Sequence, residues 1–394
     1  MKLELEKYFK PVNLEEIGFF GQINENQRIL NSIAFYKEGE KINLEGIQIA
    51  LLGVEESRNA TNNFECSHAA NEVRKEFYKL FKWNKPINII DLGNLNIGET
   101  VNDTYEALSD VLAFLIEKNV IPIIIGGSND LAFANYRAYE KLEQIVNIAS
   151  IDSKFNLGND EEEPINSSNY LNYIILQQPN YLLNYANIGY QSYLNSPESL
   201  EIMQNLYFDV FRVGALRKDL LEVEPIIRNA EMISLDISSI RRTDAPGNLN
   251  ASAHGFYGEE MCQIAYFSGI SDKSSSFGIY EYNPIYDENT QTSQLISHII
   301  WYFIEGFLGR CGDTLFKDKS NYSKISITTT DTPDDLVFYC SKKTGRWWMV
   351  VPVIHNTKNI VQKYFLPCNE KDYKLALKDI VPERWWLTFN KLNK

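Results

Sequence analysis

Apolar runs that stop abruptly at polar residues recur along the chain. Val146–Asn156 reads VNIASIDSKFN: the apolar positions end at Ile151-Asp152 and give way to Ser153-Lys154-Phe155-Asn156. A buried parallel strand has this pattern, apolar on both faces and polar where the chain leaves the sheet. Ile121–Asp130, IPIIIGGSND, breaks at a glycine pair, and Ala230–Ser238, AEMISLDIS, breaks at Asp236. In open α/β sheets the chemistry lies outside the carboxyl ends of the strands. Asp152, Lys154 and Asn156 are therefore expected to face a cleft.

Further strands are expected at Ile47–Val54, Ile87–Leu92 and Ser276–Tyr282, with short ones at Leu171–Ile175, Asn184–Gly189 and Asp209–Val213. Helical spacing marks Asn71–Lys82, Thr104–Lys118, Asp130 to Leu142, Leu216–Asn229, Gly258–Ser268 and Thr290–Gly309. Asn129 is a candidate N-cap for the third of these. Strands alternating with helices predict an α/β fold, a three-layer doubly wound parallel sheet with helices on both faces.

The main domain is expected over 46–311. Residues 1–45 are expected to form short helices, Leu14–Phe20 and Gln27–Phe35, packed on it. The acidic run Asp160–Glu163 before Pro164 reads as a solvated loop. After about Cys311 the pattern changes to strands at Ile325–Thr329, Leu336–Cys340 and Trp347–Ile354, with a Thr344-Gly345 turn. Helices at Asp372–Ile380 and Pro382–Asn390 complete a C-terminal β-hairpin and helix extension over 312–394. Its paired tryptophans, Trp347-Trp348 and Trp385-Trp386, either fill a core or anchor a protein partner.

The 394 residues are 44% hydrophobic and 23% charged, ordinary globular values. A net charge of −14 with no basic block argues against a nucleic-acid or membrane surface. Cys66, Cys262, Cys311, Cys340 and Cys368 lie far apart, without zinc or redox spacing, and suit free thiols in a reducing cytoplasm. The MKLELEKYFK start, without a basic stretch leading into an apolar run, is not expected to act as a signal peptide. The most apolar run, Leu295–Leu308, is interrupted by His298 and Glu305 and falls short of the ~20 residues a membrane span needs. A soluble cytoplasmic protein is expected. Neither a Gly-x-x-x-x-Gly-Lys nucleotide loop nor a Gly-x-Ser-x-Gly elbow is present.

Gly126-Gly127-Ser128-Asn129, Asp152-Ser153-Lys154-Phe155-Asn156 and Ser234-Leu235-Asp236-Ile237-Ser238 stand in the order of three motifs of the ureohydrolase superfamily, which contains arginase, agmatinase and formimidoylglutamase. The family reads Gly-Gly-Asp-His, Asp-Ala-His-x-Asp and Ser-x-Asp-x-Asp at these places. Ala245-Pro246-Gly247, and the late strand ending Glu281-Tyr282-Asn283-Pro284, extend the resemblance from about Ile47 to Gly309. The resemblance implies an arginase-like fold, hydrolysis of linear amidines at two manganese ions held by two His and four Asp, and self-association.

At the matching positions the chain carries Asn129, Asp152, Lys154, Asn156, Asp236 and Ser238, so two of six ligands remain. The expectation drawn from this is a catalytically degenerate protein with no metal or other cofactor, binding a partner or acting as a scaffold. The Lys154 ammonium is expected to pair with Asp152 and Asp236. The alternative is an active formimidoylglutamase-, arginase- or agmatinase-type C–N hydrolase, which would require manganese. A second alternative is a small-molecule sensor using the cleft. Glu281, at the family position that meets the guanidino end of the substrate, and His254, in the loop after the third motif, are candidate ligand-binding residues.

Overall fold

The computed structural model describes residues 3–18, 27–158, 163–313, 319–332, 334–355 and 360–393. The apolar runs form a ten-stranded sheet. Its strands are β1 (Phe9–Lys10), β2 (Ala34–Phe35), β3 (Ile49–Val54), β4 (Ile89–Leu95), β5 (Ile121–Ile125), β6 (Val146–Ile151), β7 (Leu182–Tyr190), β8 (Asp209–Arg212), β9 (Met232–Asp236) and β10 (Ser276–Tyr280). They lie in the order β1-β4-β3-β5-β10-β9-β6-β7-β8, with β2 beside β4. Only β1 is antiparallel to its neighbour. Every residue of β3, β5, β6, β9 and β10 is buried, so these central strands show no period-two alternation.

Helices cover both faces. On one side lie α1 (Ala69–Phe77), α6 (Val213–Leu216), α7 (Val223–Arg228), α8 (Gly258–Ile270) and α9 (Gln291–Phe307). On the other lie α2 (Val101–Glu117), α3 (Leu131–Lys141), α4 (Tyr170–Leu176) and α5 (Pro197–Asn205). No helix among the described residues is long and apolar enough to cross a membrane.

Several expected elements differ. Leu171–Ile175 is part of helix α4: burial falls at Tyr170, Leu171 and Ile174, a helical rather than an alternating spacing. Leu216–Asn229 is broken, because the Asp219 side chain caps Leu221 and starts a separate 3-10 turn at Leu220–Glu222. Gln27–Phe35 yields the 3-10 turn Ile29–Asn31 and strand β2. Residues 14–18 form turns, whereas 19 and 20 and the acidic positions 160–162 lie outside the described residues.

The C-terminal hairpin is a four-stranded antiparallel sheet: β11 (Tyr322–Ile327), β12 (Leu336–Ser341), β13 (Trp347–His355) and β14 (Ile360–Cys368). Pro367 in the sequence IVQKYFLPC argues against a strand, yet β14 pairs with β13 along its whole length at the sheet edge. Helices α10 (Glu370–Ala376) and α11 (Glu383–Leu392) follow. Trp385 is buried in this layer's core and donates to the Val350 carbonyl at 2.9 Å. Arg228 of α7 fastens this layer to the main sheet. Its guanidinium donates to the Trp347 and Cys368 carbonyls at 3.1 and 3.0 Å, lies 4.4 Å from the Trp348 ring and pairs with Glu224.

Candidate active site

Four neighbouring strands, β5, β10, β9 and β6, end side by side. The loop after β5 supplies Asn129, the exit of β10 supplies Glu281, β9 ends on Asp236, and the exit of β6 supplies Asp152 and Asn156. The backbone is tight here. Glu281 N–H donates to the Gly127 carbonyl and Ser128 N–H to that of Glu56. A Cβ at position 127 would stand 1.8 Å from the Glu56 oxygen, so only glycine fits.

Four side chains close on one another. Asn129 Nδ2 donates to Asp152 Oδ2 at 3.1 Å and to Asp236 Oδ2 at 3.2 Å. Asn156 Nδ2 donates to the same Asp152 oxygen at 2.7 Å. Asn129 thus bridges two carboxylates rather than capping α3, whose N-cap is Asp130. Its Oδ1 is buried without a partner among the described residues. Glu281 joins through Asn129 N–H at 2.9 Å on Oε1 and Asn63 Nδ2 at 2.7 Å on Oε2. Asn156 and Glu281 both adopt left-handed backbone, with φ of 53° and 67°. Such strain in a side chain larger than glycine costs about 1–3 kcal/mol and gathers at functional sites.

The buried acids are short of positive charge. Burial, then the charge of Asp236, holds the Asp152 carboxyl well above its usual range. Burial also raises Asp236, and burial with the charge of Asp236 pushes Glu281 up to about 8. Burial raises neighbouring Asp130 to about 6, against hydrogen bonds from Ser128 and Tyr105.

The expected pairing of Lys154 with the two carboxylates takes a weaker form. Its backbone N–H donates to Asp152 Oδ1 at 2.8 Å, as Ser238 N–H does to Asp236 Oδ1 at 2.7 Å. The half-buried ammonium forms no ion pair within 4 Å among the described residues, although its charge still favours the ionised form of both acids. Its contribution is a field rather than a contact. His254 is exposed; its Nδ1 lies 3.3 Å from the Tyr193 hydroxyl, and no bond joins it to the acids. Further asparagines also hold the site. Asn63 donates to the carbonyl as well as the carboxylate of Glu281, Asn283 Nδ2 donates to Asn63 Oδ1, and Asn248 Nδ2 donates to the Glu281 carbonyl at 2.6 Å. Asn283 belongs to the late Glu281-Tyr282-Asn283-Pro284 stretch, whereas Asn63 and Asn248 lie in two separate loops outside the motifs.

The sequence model of the Arginase family matches residues 47–305. The chain belongs to the arginase family. Formimidoylglutamase of Staphylococcus haemolyticus is 25% identical over 275 residues, 65% of this chain and 85% of the relative. That of Staphylococcus epidermidis is 26% identical over 282 residues, 69% and 88% of the two chains. Trypanosoma cruzi formiminoglutamase with Mn2+2 superposes at a TM-score of 0.65 with 16% identity, covering 72% of this chain and 99% of that one. Formimidoylglutamase of Bacillus subtilis gives 0.65 with 15% identity, covering 75% and 99%. These likenesses bear out the arginase-like fold.

The manganese in a structural relative overturns the expectation of no cofactor. The expectation counted only lost His and Asp ligands. Among the described residues no three His, Cys, Asp or Glu side chains gather as a metal cluster. The strand ends present a different donor set, two carboxylates and two amides. Carboxylate, carbonyl and water oxygens suit manganese. With the amides turned to present their oxygens, this set fits a divalent ion, and the charge-poor acids beside it favour one.

Proposed function

We propose that this arginase-family chain hydrolyses the C–N bond of a linear amidine of the formimidoylglutamate class, with manganese as cofactor. The observation that carries the reading is the meeting of Asp152, Asp236 and Glu281 on Asn129, from three adjacent strands. The relatives named formimidoylglutamase support it. In the reaction, water oxygen bonds to the formimidoyl carbon and the bond from that carbon to the glutamate nitrogen breaks. One water proton ends on the glutamate nitrogen and the other on the formimidoyl nitrogen, leaving glutamate and formamide.

Asp152 and Asp236, with Asn129 and Asn156, would hold the ion. A divalent cation bound there supplies Lewis-acid polarisation and lowers the pKa of water. Each Glu281 oxygen accepts one hydrogen bond and keeps a lone pair for a cationic amidine N–H. Burial of these groups keeps bulk water away and strengthens each electrostatic contact. The five free cysteines suit the reducing cytoplasm, where we place the protein.

The test is formamide release from N-formimidoyl-L-glutamate by the full chain with manganese chloride, with urea release from arginine and agmatine measured in parallel. Formamide is expected, and Asp236→Asn should lower kcat/KM by about a hundredfold or more. No product from any of the three substrates refutes the reading. Lys154 favours a second one, since a fixed cation beside the carboxylates weakens metal affinity. On that reading the protein is a catalytically degenerate binding or scaffold protein, or a sensor using the cleft. A rise in melting temperature with guanidino compounds, without turnover, would select it.

A further inference from the structure

We propose that the strand-end site takes one divalent cation rather than two, and that the Lys154 ammonium supplies the positive charge a second ion would bring. The inference rests on the reading of this site as the family's hydrolytic site, but it concerns ion count rather than turnover.

The geometry provides one point of convergence. Asp152 Oδ2 receives both Asn129 and Asn156, and Asp236 Oδ2 receives Asn129. The two amide nitrogens therefore hold positions where positive charge is wanted. Half-turns of the Asn129 and Asn156 amides about their Cβ–Cγ bonds direct both amide oxygens toward the carboxylates, that of Asn129 being the one that now stands buried without a partner. Four oxygen donors then face one point.

Among the described residues no three acids, histidines or cysteines gather at these strand ends to make a second point. Lys154 carries three donors and no acceptor, so it ligates nothing while it is an ammonium. Ser238 offers a neutral hydroxyl, and its backbone N–H is already committed to Asp236. Charge balance agrees. One divalent ion together with the Lys154 ammonium matches the three carboxylates that meet on Asn129 or bond to it, Asp152, Asp236 and Glu281, Asp130 being engaged separately by the Tyr105 hydroxyl. A second ion would leave two positive charges over in a buried site, which is costly.

The experiment counts ions in the full-length protein equilibrated with manganese chloride and freed of excess. Elemental analysis is expected to give one manganese per chain, and the electron paramagnetic resonance spectrum that of an isolated ion. Asp236→Asn should abolish binding, and Lys154→Met should tighten it by about tenfold through loss of a repulsive charge. Lys154→His combined with Ser238→Asp supplies two ligands and removes the ammonium; it should bind two ions with an exchange-coupled spectrum. Two coupled ions in the unaltered protein, none at millimolar manganese, or a folded double variant that stays at one ion, each overturns the proposal. Should the double variant fail to fold, the affinity change of Lys154→Met decides, and unchanged affinity overturns it. One bound ion without formamide release would refute the hydrolase reading and leave this inference standing.

Discussion

Arg74 is fully buried on α1 and donates to both oxygens of Asp91 at 2.9 Å, while the Tyr78 hydroxyl reaches the same carboxylate at 2.7 Å. The guanidinium also donates to the Gly93 carbonyl at 2.9 Å. A charge pair in this setting contributes little over an apolar pair of equal volume, yet removing one partner strands the other. Arg74→Met is expected to lower stability by about 3–5 kcal/mol in urea denaturation, and Arg74→Met with Asp91→Leu to recover part of it. The same logic sets what could be read at the active site. Asp152, Asp236 and Glu281 were legible because an acid that ends an apolar run has few places to go but a strand-end cleft. Asn63 and Asn248 were not, because a loop asparagine carries no signal of its partner until the loops are folded together. The Lys154 contact was misread for a related reason: sequence gives its neighbours, but not the distance its four-carbon stem leaves to them.

At the scale of elements, burial decided which expectations held. Strands β3, β5, β6, β9 and β10 were legible as unbroken apolar runs, since both of their faces are covered by helices. α4 and β14 were not. The first is an amphipathic turn too short for its period to be told from a strand, and the second is an edge strand carrying a proline. Arg228 joins helix α7 to the second sheet through carbonyls of adjacent strands β13 and β14. Arg228→Met is expected to deprive those carbonyls of their donor, costing about 1–3 kcal/mol, while Glu224 keeps its ion pair with Arg346. Amide exchange should quicken along β13 and β14 while β5 and β6 keep their protection, and uniform exchange would count against Arg228 as the anchor.

Across the whole molecule, thiol chemistry reports the packing. Cys66, Cys262 and Cys368 are buried, Cys340 is half-buried and Cys311 is exposed. Burial raises the thiols of Cys66 and Cys368 and pushes Cys262 up to about 12. At neutral pH a thiol reagent is expected to modify Cys311 first and the three buried cysteines only in denaturant. Fast labelling of several thiols in the native protein would contradict this packing. The layered α/β plan was legible at this scale because alternation of strand and helix leaves few topologies. The second sheet's full extent was not, because one of its four strands, β14, is weakly patterned.

The contact at Gly127 reaches beyond its own turn. Main chain from three separate segments, at Glu56, Gly127 and Glu281, is bonded together at the strand ends without help from any of the six motif side chains. The scaffold and the reagents it displays are thus mechanically separate. Amino-acid exchanges at 129, 154, 156 or 238 can rewrite the chemistry on offer while the mount that carries it keeps its shape.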